Sequence, residues 1–379
     1  MNQVRVGIAL EGAGWHPAAW REPAARPAEL FTAGYWTDLV REAQRGLADF
    51  VTFEDTLSLQ SVHRDRADDR TDQVRGRLDA VMIAARVAPV TAGIGLIPAV
   101  VATHTEPFHI SKAIATLDYV STGRAGLRVR PSDRPDETAH FGRREPEGEL
   151  DEVADYVEVV RRLWDSWDDD AEIRDAATGR FIDRDKLHYI GFEGRWFSVK
   201  GPSITPRPPQ GQPPVCAVGH ASPTYQLIGR VADVGFITPS GAEEAAAAVA
   251  EISAARSAAK RDGRLHVFAD LLVYLDDDVG AAVARKARLD ETAGYEFGTP
   301  ALTFTGTPVQ LADLMQDWMS AGLSGFRLRP AAIPDDLVRI TGALTAELRR
   351  RGVFRTGYQE GTLRGLLGLP RPANRYAIA

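Results

Sequence analysis

The sequence predicts a single (β/α)8 barrel, a TIM barrel, with an insertion after the helix that follows its fourth strand. Three observations lead there. Short apolar runs alternate with longer helical patterns almost from end to end. Eight of the apolar runs have strand length. A chain of 379 residues, 44% hydrophobic, is long enough to close one large core, although length alone also allows two or three smaller domains. A doubly wound open sheet shares the alternation and is the competing architecture.

Val4 to Leu10 reads as the first strand and Tyr35 to Gly46 as the helix after it. Phe50 to Asp55 is the second strand, followed by a helix from Arg77 to Val87. Gly93 to Ile97 is the third, and the helix from Pro107 to Tyr119 opens with proline, whose missing N–H is not needed in a first turn. Leu127 to Arg130 is the fourth, and Leu150 to Trp167 is a long amphipathic helix. The rhythm then stops for about 45 residues, a length that suits an insertion better than a bare connection. This stretch, about 168–212, ends in PPQGQPP. Strands at Val215 to Val218, Val234 to Thr238 and Val267 to Leu275 follow, with helices at Tyr225 to Ala232 and Ala242 to Lys260 between them. A helix from Val279 to Thr292, a loop, a helix from Pro308 to Ala321, the eighth strand Gly325 to Leu328 and a helix from Asp335 to Arg350 complete the pattern. The barrel therefore spans 1–355, and 356–379 reads as a surface-packed or disordered tail.

Formal charge is −7, so no global positive field attracts a nucleic acid backbone. The single cysteine, Cys216, excludes an internal disulfide and a Cys-rich zinc site, and suits a reducing compartment. The N-terminal apolar run meets Glu11 too early for a signal peptide, and the uncharged stretch Val87 to Thr103 is short and broken by Pro89 and Pro98. The expectation is a cytoplasmic protein that engages neither membrane nor nucleic acid.

In such a barrel the ends of the strands deliver side chains to one face. Strand one leads into Gly14-Trp15-His16-Pro17-Ala18-Ala19-Trp20-Arg21, an aromatic, imidazole and guanidinium cluster that suits either a ligand or rim packing. Strand two ends in Glu54-Asp55, of which alternation turns only one to the mouth. His104 and His109, five apart, are poorly spaced for a shared metal, and the other histidines form no ligand pattern. Arg128 and Arg130 lie on one face of strand four, where an arginine needs an anionic ligand or an acidic partner such as Glu54 or Asp55. Gly219-His220-Ala221-Ser222 joins strand five to a helix start whose N–H groups could receive a phosphate; no Walker or GxGxxG loop occurs at such a junction.

GWHPAAWR (14–21), TLDYVSTGRAG (116–126), VVRRLWDSWDDDA (159–171), GPSITPRPPQGQPP (201–214) and TGTPVQLADLMQDWMSAGLSGF (305–326) occur in this order. Together they resemble the bacterial luciferase-like flavin monooxygenase superfamily, in the branch of nitrilotriacetate monooxygenase, dibenzothiophene sulfone monooxygenase and pristinamycin IIA synthase. The resemblance covers most of the chain. It implies a barrel with an insertion, reduced FMN as co-substrate from a separate NAD(P)H:flavin reductase, and O2 activated at the flavin to oxygenate a small organic substrate. Homo-oligomers, or heterodimers with a homologous chain, are implied as well.

Carried over by position, the family's early histidine is His16, in a catalytic role, and its cofactor contacts include Asp55 and Thr103. Arg128 and the Gly219, His220, Ala221, Ser222 loop are the further expected cofactor contacts, with no metal. The chain departs from the family at six positions, five of which, all but Leu127, are usual flavin contacts. Leu127 and Arg128 replace Trp-Asn, Pro146 and Leu150 stand for a histidine and tyrosine, and Ala221 and Thr224 replace the Ser and Gly of the phosphate loop. Loss of three or four neutral hydrogen bonds would weaken a flavin by roughly two to four powers of ten. A deazaflavin-dependent oxidoreductase and a non-catalytic, flavin-free paralogue that partners an active homologue are the alternatives.

Overall fold

The computed structural model describes residues 3–377, apart from 62, 64, 65, 67, 133 and 142–147. Eight strands pair in parallel and in chain order: β1 Arg5–Leu10, β2 Phe50–Phe53, β3 Gly95–Val101, β4 Leu127–Arg130, β5 Val215–Gly219, β6 Val234–Ile237, β7 His266–Leu275 and β8 Gly325–Pro330. Register runs Ile8↔Val51, Val51↔Leu96 and Ala99↔Arg128 on one side, and β8 closes the ring onto β1 through Val6↔Phe326. The expected TIM barrel is therefore the fold, and the open sheet is excluded because no barrel strand is left with a free edge.

The helices begin where side chains can satisfy their first amides. Thr32 caps α1 (Ala33–Arg45) by accepting from the Tyr35 N–H at 3.3 Å, and Asp79 caps α2 (Ala80–Val87) through the Met82 N–H at 2.8 Å. Next come α3 (Pro107–Val120), α4 (Glu149–Trp164), α5 (Ser222–Val231) and α6 (Ala242–Ala258). Each buries one stripe against the strands; Val153, Tyr156, Val157 and Val160 of α4 are all buried. Between α4 and β5, Glu172–Asp175 pairs with Arg180–Ile182, and Phe192–Glu193 with Ser198–Val199, as two small antiparallel hairpins.

Two features of the second half of the barrel differ from the sequence expectation. The stretch read as a loop before Pro308 contains a strand, Leu302–Gly306, that pairs with Leu271 to Leu275 of β7. The ten-residue β7 outruns β6, which ends opposite Ala269, and this extra strand covers the part of β7 beyond it. The helix after β8 is also not uniform, because Ile340–Leu344 forms a π-helical turn within it.

The C-terminal segment is part of the core. Leu363, Leu367 and Leu369 pack with Phe50, Ile97, Cys216, Val234, Phe236 and Phe268 to close the barrel floor. Gly95 makes room: a β-carbon there would lie 2.5 Å from Leu363 Cδ1. His266 locks the segment in place, its Nε2 donating to the Leu367 carbonyl at 2.7 Å while Nδ1 accepts from Ser324 Oγ at 2.9 Å. The spacing of Gly, Arg and Pro from Thr356 onward suggested a surface tail; it conceals three leucines that find their partners only when the floor exists.

Leu367→Ala should lower stability by about 2–5 kcal/mol, the range for emptying a fully buried leucine site, measured by urea denaturation. A second expectation concerns pH. Burial, with Arg5 and Arg264 nearby, pushes His266 from its ordinary 6.5 down to about 3, so the folded chain holds it neutral. Its contribution is complete above pH 6.5 and is lost as pH falls from there toward 3. Below pH 6.5, stability should therefore fall less steeply in His266→Gln than in the parent; identical slopes would show that this imidazole charges freely.

Candidate active site

The barrel is filled in layers. Above the leucine floor, Phe50 meets Phe268 at 5.3 Å and Phe236 at 5.8 Å between ring centroids. Arg327 lies on this aromatic layer, its guanidinium 4.3 Å from the centre of the Phe236 ring. Above it the interior is ionic. Arg327 makes a two-pronged pair with Asp270, Nε to Oδ1 at 2.7 Å and Nη2 to Oδ2 at 2.5 Å, and reaches Glu54 at 3.3 Å. Arg329 bonds Asp270 and stacks 4.5 Å from the centre of the Trp15 ring, and Arg128 bonds Glu54.

Three guanidinium groups thus face two carboxylates inside the barrel. Burial pushes both acids up, but the arginines outweigh it and hold Glu54 and Asp270 below the usual carboxylate range. Arg128 is under-compensated: burial pulls it down to about 10 despite Glu54. The Nε groups of Arg128 and Arg329 are buried with no acceptor among the described residues. Sequence reading found Arg128 and named Glu54 as a candidate partner; it missed Arg327, Arg329 and Asp270. A signal was present in the alternating arginines of GFRLRP and in the one acid of the apolar run HVFADLLVYL.

Beside this layer a cavity of about 460 Å³ opens at the C-terminal ends of β1 and β2. Trp15, His16, Trp20, Tyr295 and Phe297 give it aromatic walls, and Glu11, Glu54, Asp55, Arg77, Arg130 and Arg134 bring charge to it. Both Glu54 and Asp55 line it, contrary to the expectation that only one would; Glu54 turns to the barrel arginines, and Asp55 turns to Ala80 N–H at 2.9 Å. This is possible because both acids follow the last paired residue, where strand alternation no longer holds. Burial raises the Asp55 carboxyl above its ordinary value even so.

His16 is buried, with both nitrogens engaged. Nδ1 accepts the Ala18 N–H at 3.1 Å, and Nε2 faces Asp290 Oδ1 at 3.2 Å. Burial lowers its pKa, with Asp290 opposing, and Tyr274 and Phe297 meet the ring edge-on. The imidazole is fixed as a neutral donor to Asp290. Asp290 belongs to the helix Val279–Ala293 and carried no sequence signal, since it lies 274 residues from its partner.

Apart from Arg130, the other expected site residues do not line this cavity. Thr103 accepts the Ser132 N–H at 2.9 Å, tying the ends of β3 and β4 together. Leu127 and Leu150 are apolar packing positions, and Pro146 lies outside the described residues. Gly219 ends β5; His220, Ala221 and Ser222 are exposed at the start of α5, with His220 Nδ1 2.8 Å from Thr238 Oγ1. Arg130 bonds the Asp55 carbonyl at 3.1 Å and Glu137 at 3.3 Å. Among the described residues no group of three metal-ligating side chains occurs, and no helix is long and apolar enough to cross a membrane.

The family model for luciferase-like monooxygenase matches residues 14–343. The chain belongs to the luciferase-like monooxygenase family. Its relatives include N-acetyl-S-(2-succino)cysteine monooxygenase of Bacillus subtilis (strain 168), 30% identical over 99% of each chain. Nitrilotriacetate monooxygenase component A of Aminobacter aminovorans is 27% identical over 99% of this chain and 98% of its own. The structure of EDTA monooxygenase from Chelativorans sp. BNC1 superposes with a TM-score of 0.85, covering 98% of this chain and 99% of that one at 23% identity. The branch inferred from the motifs is therefore correct.

Asp270→Asn keeps the shape of the side chain but leaves Arg327 and Arg329 without their shared charge. It should cost about 3–5 kcal/mol in urea denaturation, whereas Asp151→Asn, which removes the exposed partner of Arg230, should cost under about 1 kcal/mol.

Proposed function

We propose that this chain is a flavin-dependent monooxygenase that oxygenates a small organic substrate held in the 460 Å³ cavity at the barrel mouth. Reduced FMN and O2 are the co-substrates in this reading, and a separate NAD(P)H:flavin reductase supplies the flavin. The observation that carries it is the end-to-end similarity to proteins named as monooxygenases, one of them named as component A, in a chain whose cavity holds His16 and Asp55.

The ring end of a flavin suits the site. Arg128 and Arg329 offer buried N–H donors in want of acceptors, and an isoalloxazine presents two carbonyls and ring nitrogens. Bound there, reduced flavin supplies the electrons that activate O2, which no side chain of this protein can do. The protein's own residues do the positioning. Trp15, Trp20, Tyr295 and Phe297 keep water from the substrate, and Arg128 and Arg329, behind the cavity walls Glu54 and Trp15, lend positive charge to the ring. His16, held by Asp290, serves as a rigid wall and donor rather than a mobile base. Arg77 and Arg130 suit an anionic substrate group, although each already has a carboxylate partner in Glu11 and Glu137.

A second reading, the flavin-free paralogue that supports an active homologue, is favoured by one observation: Thr224 occupies the amides expected to hold the phosphate. Titration decides between them. Oxidised and reduced FMN should quench or shift on binding with a dissociation constant below about 0.5 mM, and the protein with a flavin reductase should consume O2 in a substrate-dependent way. No binding at that concentration, with or without candidate substrates, would sink the catalytic reading. A bound deazaflavin, identified by mass, would replace FMN in it.

A further inference from the structure

Helix α5 starts at Ser222 on the mouth side of the barrel, and the amides before it are those a phosphate would use. They are already occupied. Thr224 Oγ1 accepts the N–H of His220 at 3.0 Å and of Ala221 at 3.3 Å, and donates its own proton to the Ala221 carbonyl at 2.8 Å. One hydroxyl thus uses both lone pairs and its hydrogen inside the turn, filling the acceptor role a phosphate oxygen would take.

A second observation is independent of the first. Glu251, from α6, receives the Ser222 hydroxyl at 2.5 Å and the Gln226 side-chain amide at 2.9 Å. Those two bonds hold the Glu251 carboxyl below its ordinary range, so it stays ionised. The helix start therefore carries a fixed negative charge beside it, which opposes a phosphate through space. The interior of the barrel shows the opposite state, with the buried Nε groups of Arg128 and Arg329 lacking an acceptor among the described residues.

We infer that Thr224 and Glu251 set the co-substrate specificity of this chain: it binds the flavin ring and does not read the phosphate, so riboflavin serves as well as FMN. This rests on the flavin reading above. Thr224 is the selectivity residue, because a glycine there would release both amides. Glu251 adds repulsion without touching the ring end.

Calorimetric titration of the full chain with oxidised FMN and oxidised riboflavin tests it directly. The parent should bind the two within about threefold of each other. Thr224→Gly should tighten FMN by at least about tenfold and leave riboflavin unchanged, while Thr224→Ser, which keeps the hydroxyl, should retain the parent ratio. Glu251→Gln, on the exposed face of α6, should tighten FMN alone by a smaller factor. A parent that prefers FMN by more than about tenfold overturns the inference, as does a Thr224→Gly protein in which both flavins shift together. If neither flavin binds any of the four proteins, the flavin reading itself fails, which is a different result from a lost preference.

Discussion

The pairing of Arg327 with Asp270 inside the barrel is the constraint on which the upper half of this molecule depends. A guanidinium sealed in a closed sheet must keep a carboxylate within reach, because desolvating it alone would cost more than its packing returns. Asp270 comes from β7, Arg327 and Arg329 from β8, Arg128 from β4 and Glu54 from the end of β2. Four segments of the ring are thereby bound across the axis as well as along it. The aromatic layer below supplies the complementary face for Arg327, and the leucines of the C-terminal segment complete the seal.

The ionic layer also shapes the mouth. Glu54 is at once a partner of the barrel arginines and a wall of the cavity, and Arg329 supports the Trp15 ring from beneath. The cavity floor is thus set by charges whose positions are fixed by one another. With three cations against two anions, the layer carries a surplus positive charge, and the Nε groups of Arg128 and Arg329 have no acceptor among the described residues. The opposite end of the site shows internal completion, since Thr224 and Ser222 spend their hydrogen-bonding capacity within the chain.

How much of this was legible varied by residue. The eight strands and the break after the fourth helix could be read because period and punctuation are local. Ala221 and Thr224 stood out as substitutions in a familiar loop, yet that the Thr224 hydroxyl would turn back onto the His220 amide depends on rotamer and backbone geometry that no spacing encodes. His16 was found by its motif. That its two nitrogens are already engaged depends on Asp290, brought in by a helix far along the chain. The leucines of the C-terminal segment, set among Gly, Arg and Pro, show no period; burial here follows from where the floor lies, which local pattern does not record.

By itself the sequence determined the barrel, its family and the short list of residues that could meet a flavin, because alternating pattern and ordered motifs are properties of neighbouring residues. The tertiary structure alone decided which charges face one another inside the ring and that Arg128 bonds Glu54 and not Asp55. These outcomes depend on distances between segments up to hundreds of residues apart. Electrostatics and hydrogen bonding act over a few ångströms of space, whatever the separation along the chain.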